Sequence, residues 1–157
     1  MNTDHLVVFN LDEHRYAVSL SSVERAVRMV EISLLPKTPE IVLGVVNYQG
    51  QIIPVLNIRR RFHLTEREPG VSDQLLVVRT SRRTVALVVD KVTGVEEVSA
   101  TEAIPHTSIV PGLEYLSGVV KLHDGMLFIH ELDSFLSLQE EEALAAAVKP
   151  EKQRADR

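Results

Sequence analysis

The stretch Gly44–Phe62, GVVNYQGQIIPVLNIRRRF, decides the reading of this chain, because the remainder repeats it, flanks it or supports it. Val45, Val46 and Tyr48 form an apolar run before Gln49-Gly50; beyond that pair Ile53 and Val55 sit two apart, and Asn57 continues their face. Apolar residues on both sides of a Gly-containing pair predict a β-hairpin. Gly50 supplies the φ > 0 that a two-residue turn demands. Pro54 has no N–H to give to a ladder, so the second strand lies at an edge, at a bulge, or with that position facing away from a partner. An exposed hairpin edge is a surface on which another protein can dock.

Working outward toward the N-terminus, Leu6–Leu11 and Arg15–Leu20 read as two strands around the polar turn Asp12-Glu13-His14. Ser21-Ser22 offers an N-cap, and the spacing of Val23, Ala26 and Val27 suits a short helical turn. Pro36 and Pro39 break regular structure before the central hairpin. Toward the C-terminus, residues 63–73 are polar and predict an exposed connection. Leu75–Val78, Thr84–Val89 and Val92–Val98 predict three strands, followed by a longer connection from Ser99 to Tyr115. Gly118–Leu122 and Met126–Ile129 predict a last hairpin around Asp124-Gly125. Ser137 with Glu140 makes a capping box ahead of a helix containing Leu138, Leu144 and Ala145-Ala146-Ala147; the charged segment 149–157 is expected to be a disordered tail.

Laid over the first half at an offset of 69, the second half pairs Leu6 with Leu75, Val8 with Val77, Val18 with Leu87 and Val23 with Val92. At an offset of 74 the central hairpin matches the last one, Gly44 with Gly118, Val46 with Val120, Ile53 with Leu127 and Val55 with Ile129. The same order of elements in both halves predicts a duplication, two small β units spanning approximately 6–64 and 73–138 in one domain, 1–148. Units of that size suit small five-stranded barrels that gain by packing on each other.

Composition narrows the function. Of 157 residues 17 are Lys or Arg and 22 are Asp or Glu, a formal charge of −5, which argues against nucleic acid as a partner. Cys is absent, so disulfides, thiolate metal sites and a Cys nucleophile are excluded. The first residues lack the pattern of a signal peptide, and no apolar run approaches the roughly 18 residues of a membrane span, so a cytoplasmic protein without direct membrane insertion is expected. No phosphate loop, nucleophile elbow or His-Glu-x-x-His is present. His123, Asp124, His130 and Glu131 are the nearest approach to a metal constellation, but Asp124 reads as a turn residue, and neither metal nor cofactor is expected. Arg59-Arg60-Arg61 is expected to be a solvated strand end, and Asp90 to close a strand, with a place at a partner interface as the alternative. With no nucleophile, base and orienting group assembled, contact between proteins is the leading class of function.

Residues Pro39–Ile58, PEIVLGVVNYQGQIIPVLNI, resemble the signature of the CheW-like coupling proteins of bacterial chemotaxis, roughly P-x-x-x-x-G-V-x-N-x-R-G-x-x-x-P-[VI]-x-[DN]-L. Val88–Val92 and Glu114–Gly118 resemble two further landmarks of that family, so the likeness runs from about Leu6 to Leu138. The resemblance implies a mainly β fold of two tandem five-stranded SH3-like barrels with short helices and a C-terminal helix, with strands open to exchange between the barrels. It implies a non-enzymatic adaptor, recruited to membrane-associated arrays, that joins the cytoplasmic tip of methyl-accepting receptors to the regulatory domain of a CheA-type histidine kinase. By matching position it places Val23, Gly44, Asn47, Gln49 and Gly50 at or around the receptor contact; it assigns no kinase-binding residues. Gln49 departs from the family Arg. Arg offers five donors and a fixed charge where Gln offers two donors, one acceptor and no charge. The alternative implied is a regulator of a parallel signalling pathway with an altered receptor choice.

Overall fold

The computed structural model describes residues 3–99, 103–105, 116–122 and 125–155. Among them eleven strands run in chain order: β1 (Thr3–Leu11), β2 (His14–Ser19), β3 (Val23–Arg28), β4 (Val42–Tyr48), β5 (Gln51–Leu56), β6 (Gln74–Arg79), β7 (Thr84–Val89), β8 (Lys91–Ser99), β9 (Ala103–Pro105), β10 (Leu116–Leu122) and β11 (Gly125–His130). A short helix α1 (Ile58–Arg61) follows β5, and a longer one, α2 (Leu138–Ala155), follows β11. The mainly β class expected from the sequence is the one observed.

The strands form two sheets, in the order β8-β1-β2-β11-β10-β9 and β3-β6-β7-β5-β4. Translated through the internal repeat, the second order is identical to the first five strands of the other. Register repeats as well. Leu6 opposes Ser19 as Leu75 opposes Val88. Val46 opposes Ile53 as Val120 opposes Leu127. The parallel contact of Val55 with Ala86 matches that of Ile129 with Ala17. Even the register shifts correspond, between Val42 and Gly44 and between Leu116 and Gly118. Each sheet, however, takes its first hairpin from the other half of the chain: β1–β2 pairs with β8 and β11, and β6–β7 with β3 and β5. The two repeats are exchanged into one another.

Exchange explains why the sequence reads Leu-Val-Val-Phe at β1 and Leu-Leu-Val-Val at β6 where a half-exposed strand would alternate. Leu6 and Val8 pack inside one sheet with Ala17, Val98 and Leu127, while Val7 and Phe9 face a central core shared with Leu76, Val78 and Leu87. Leu75 and Val77 fill the other sheet with Val46, Ile53 and Val55. The exchanged hairpins are thus buried on both faces, and the central core is the interface between the barrels.

Each sheet is drawn round by the chain that leaves its edge. Beyond β3, Ser33 exchanges two backbone hydrogen bonds with Val45 of β4, at 2.9 and 2.8 Å. In the second unit β9 takes the same place, Ile104 opposing Val119. A Cβ on Gly44 would lie 2.4 Å from the Ser33 carbonyl oxygen, so glycine is required for this close approach.

One expectation is corrected. The segment after Ser22 is strand β3, with only a 3-10 turn at Leu20–Ser22 preceding it; the apolar residues of β3 pair with β6, and that tertiary ladder overrides the helical spacing. Helix α2, Leu138–Ala155, runs into the segment 149–157 that the sequence sets apart as a charged tail. For Pro54 the third of the expected alternatives holds: β5 is an interior strand, but Val45 gives both backbone groups to Ser33 and the β5–β7 ladder involves only Val55 and Leu56, so no N–H is needed there.

Candidate functional site

The β4–β5 hairpin closes at Gln49-Gly50, with Tyr48 opposing Gln51. Gln49 has φ 51° and Gly50 φ 83°, the positive pair of a type I′ turn, whose twist matches that of the flanking strands. Asn47 Oδ1 accepts the Gly50 N–H at 3.0 Å and ties the turn to β4. Asn47, Gln49, Gly50 and Gln51 are exposed, and Ile52, opposite Asn47, is 52% exposed. From Gly44 to Ile58 the chain carries no charged residue. The hairpin therefore presents amide groups and an apolar side chain, without a formal charge.

Asn47, Gln49 and Gly50 are brought together in that turn, with Gly44 at the bulge where Ser33 crosses. Val23 is not part of it. It stands on β3, at the other end of the sheet order, half-buried and packed on the central core.

Sequence reasoning missed a second feature, an ionic cluster where the chain passes between sheets. Arg59, expected at a solvated strand end, is on α1, only 6% exposed. Its Nη2 meets Asp12 Oδ1 at 2.9 Å and Asp90 Oδ1 at 2.8 Å, and its Nη1 donates to the Thr65 carbonyl at 3.1 Å. Asp90, the single residue between β7 and β8, also accepts the Asp12 N–H at 2.7 Å and Arg67 Nη2 at 2.7 Å. Arg67 grips Asp73 with two hydrogen bonds of 2.8 and 2.7 Å. The guanidinium of Arg67, above all, holds the Asp73 carboxyl below the usual range, and a hydrogen bond from Arg59 does the same for Asp12. Arg60 pairs with Glu66 and Glu40, and Arg61 with Glu140 and the Phe135 carbonyl. The only hint in the sequence was the set of acidic residues scattered around three consecutive arginines.

All four phenylalanines of the chain gather where the barrels meet. Phe62 stacks on Tyr16 at 4.7 Å and on His130 at 4.1 Å, and Phe9, Phe128 and Phe135 complete the group. Burial raises the Tyr16 hydroxyl above its ordinary value. His130, considered as a metal ligand, is packed among rings; His123 and Asp124 lie outside the described residues, among which no metal-binding group of three is found. A shallow cleft of about 220 Å³, lined by residues such as Ser81, Asp133, Leu138 and Glu141, carries no catalytic constellation. Among the described residues no helix is long and apolar enough to cross a membrane.

The chain has known relatives. A protein described as chemotaxis protein CheW from Treponema pallidum is 27% identical over 89% of this chain and 86% of its own length. Another of that description, from Rhizobium meliloti, is 28% identical over 88% and 90%. The crystal structure of a scaffolding protein, TtCheW from Thermoanaerobacter tengcongensis, superposes with a TM-score of 0.79 at 26% identity, over 88% of this chain and 96% of that one. With two sheets of six and five strands that exchange their first hairpins, the chain also matches, over residues 5–140, a family model described as the CheW-like domain, and it belongs to the CheW-like family.

Proposed function

We propose that this protein is a non-enzymatic coupling adaptor of chemotaxis-type signalling, binding the cytoplasmic tip of a methyl-accepting receptor and the regulatory domain of a CheA-type histidine kinase. The match of the CheW-like family model to residues 5–140 carries the reading. The receptor contact is assigned to the β4–β5 hairpin: Asn47 and Gly50 hold the turn, Gly44 admits Ser33 behind it, Gln49 is lifted into solvent by its positive φ, and Val23 supports the sheet from β3. In cells the protein is recruited to receptor arrays by that contact. Both partners are tested by titrating the purified protein with a receptor tip fragment and with the kinase regulatory domain from its own organism. Binding of both at once is expected, and failure to bind either would overturn the assignment.

One observation favours a second reading, a regulator of a parallel pathway with a different receptor. Gln49 removes the charge-assisted hydrogen bond that Arg would make to an acidic group, and nothing charged replaces it between Gly44 and Ile58. If receptor choice has shifted, Gln49→Arg gains affinity for an ordinary receptor tip; an unchanged affinity leaves the substitution without that meaning.

A further inference from the structure

The exchange of hairpins has a consequence beyond the adaptor reading. The first repeat, β1 to α1, is joined covalently to the second, β6 to α2, only through residues 63–73. All other contact between the repeats is non-covalent: strand pairing, core packing, and polar contacts such as those of Asp12, Arg59 and Arg61 with Asp90, Phe135 and Glu140. We infer that a second copy of this chain is a partner: two chains can trade repeats, the first of one completing both barrels with the second of the other. Every register described above is kept in that dimer, since none depends on the connection. Only the connection changes path, which is the low-cost route to a dimer. At full extension, 11 residues reach roughly 36–40 Å.

The connection is built as a fastened hinge. Its first part is tied to α1, through the Thr65 carbonyl on Arg59 and Glu66 on Asn57 and Arg60. Its second part is folded back on itself. Arg67 clasps buried Asp73 with both Nη atoms, Gly70 N–H donates to Asp73 Oδ2 at 2.7 Å, and Asp73 N–H donates to the Gly70 carbonyl at 3.1 Å. Val71, at the crest, is 97% exposed and packs on nothing that would hold the bend. Arg67 Nη2 also reaches Asp90 at 2.7 Å, so the connection has a second tie outside itself; loss of Asp73 removes the internal clasp and weakens the hinge without touching either barrel, which makes Arg67–Asp73 a control on the balance between closed monomer and exchanged dimer.

The chain has no cysteine, which makes the exchange readable by a disulfide. His5 on β1 and Glu97 on β8 are opposed across the repeats, their side chains 3.7 Å apart. In His5→Cys/Glu97→Cys a disulfide joins one chain to itself in the closed form and two chains in the exchanged form. The double variant is refolded reduced at low and high protein concentration, oxidised, and separated on a non-reducing denaturing gel. A covalent dimer is expected at high concentration, above the background of His5→Cys alone. Adding Asp73→Asn should raise its fraction severalfold, and deleting residues 68–70 should raise it further. Monomeric bands at every concentration, with and without Asp73→Asn, would overturn the inference; these two proteins decide the matter if the deletion variant does not fold.

Discussion

Gln49 holds a positive φ at the tip of the hairpin that we propose as the receptor contact. A non-glycine side chain at φ 51° is strained, and Asn bears that conformation better than Gln, so Gln49→Asn should raise the stability of the hairpin by up to about 1 kcal/mol in chemical denaturation. Gly50→Val should lower it by about 1–3 kcal/mol; its Cβ would meet nothing, so the loss measures backbone strain alone. Arg59 is the other decisive residue. Arg59→Met fills its place but leaves Asp12 and Asp90 without their shared cation, and should cost about 2–3 kcal/mol, less than for a wholly buried pair because both acids are partly exposed. The depressed acids give the sign of the pH response. Asp12 and Asp73 are ionised and held by arginine in the folded state, so their contribution is complete above the ordinary carboxyl value of 3.8 and is lost as pH falls below it. The melting temperature should therefore drop on acidification below about pH 4, and Asp73→Asn should flatten that drop.

Among the elements, the hairpins and the capping box were legible in the chain. Ser137 N–H donates to Glu140 Oε1 at 2.8 Å, and Glu140 N–H to Ser137 Oγ at 3.1 Å, the reciprocal pair that the spacing predicts. What holds α2 against the barrels was not legible, because Arg61 and Arg83 reach Glu140 and Glu141 across long separations. Leu144 is fully buried in the central core, so Leu144→Ala should cost about 2–5 kcal/mol, whereas removing residues 149–157 should leave the melting temperature nearly unchanged. Element β3 shows the opposite outcome. Val23, Ala26 and Val27 fit a helical face, and only pairing with β6 makes them a strand.

At the scale of the molecule, the proposed receptor contact carries a salt prediction. The hairpin of Asn47, Gln49 and Ile52 has no formal charge, so on that proposal receptor affinity should change little between about 50 and 300 mM salt, while Gln49→Arg should make it salt-dependent. The repeat found at offsets of 69 and 74 carried through to register, bulges and strand order. Duplication alone, however, is compatible with each half folding on itself, and nothing in the offsets says which hairpin joins which sheet. The continuous apolar runs at β1 and β6 were the one trace of the answer, since a strand buried on both faces has no polar side to show.

By itself the sequence determined most of the strands, though not β3 or β9, together with the turn at Gln49-Gly50, the duplication and the family likeness, because these rest on local φ preferences and on apolar periodicity between near neighbours. Only the tertiary structure decided the exchange of hairpins, the gathering of four phenylalanines between the barrels, and the Arg59 and Arg67 clasps on Asp90 and Asp73. Those depend on which distant residues meet, and a buried ion pair or a two-sided core is specified by the whole fold at once, not by the spacing of residues along the chain.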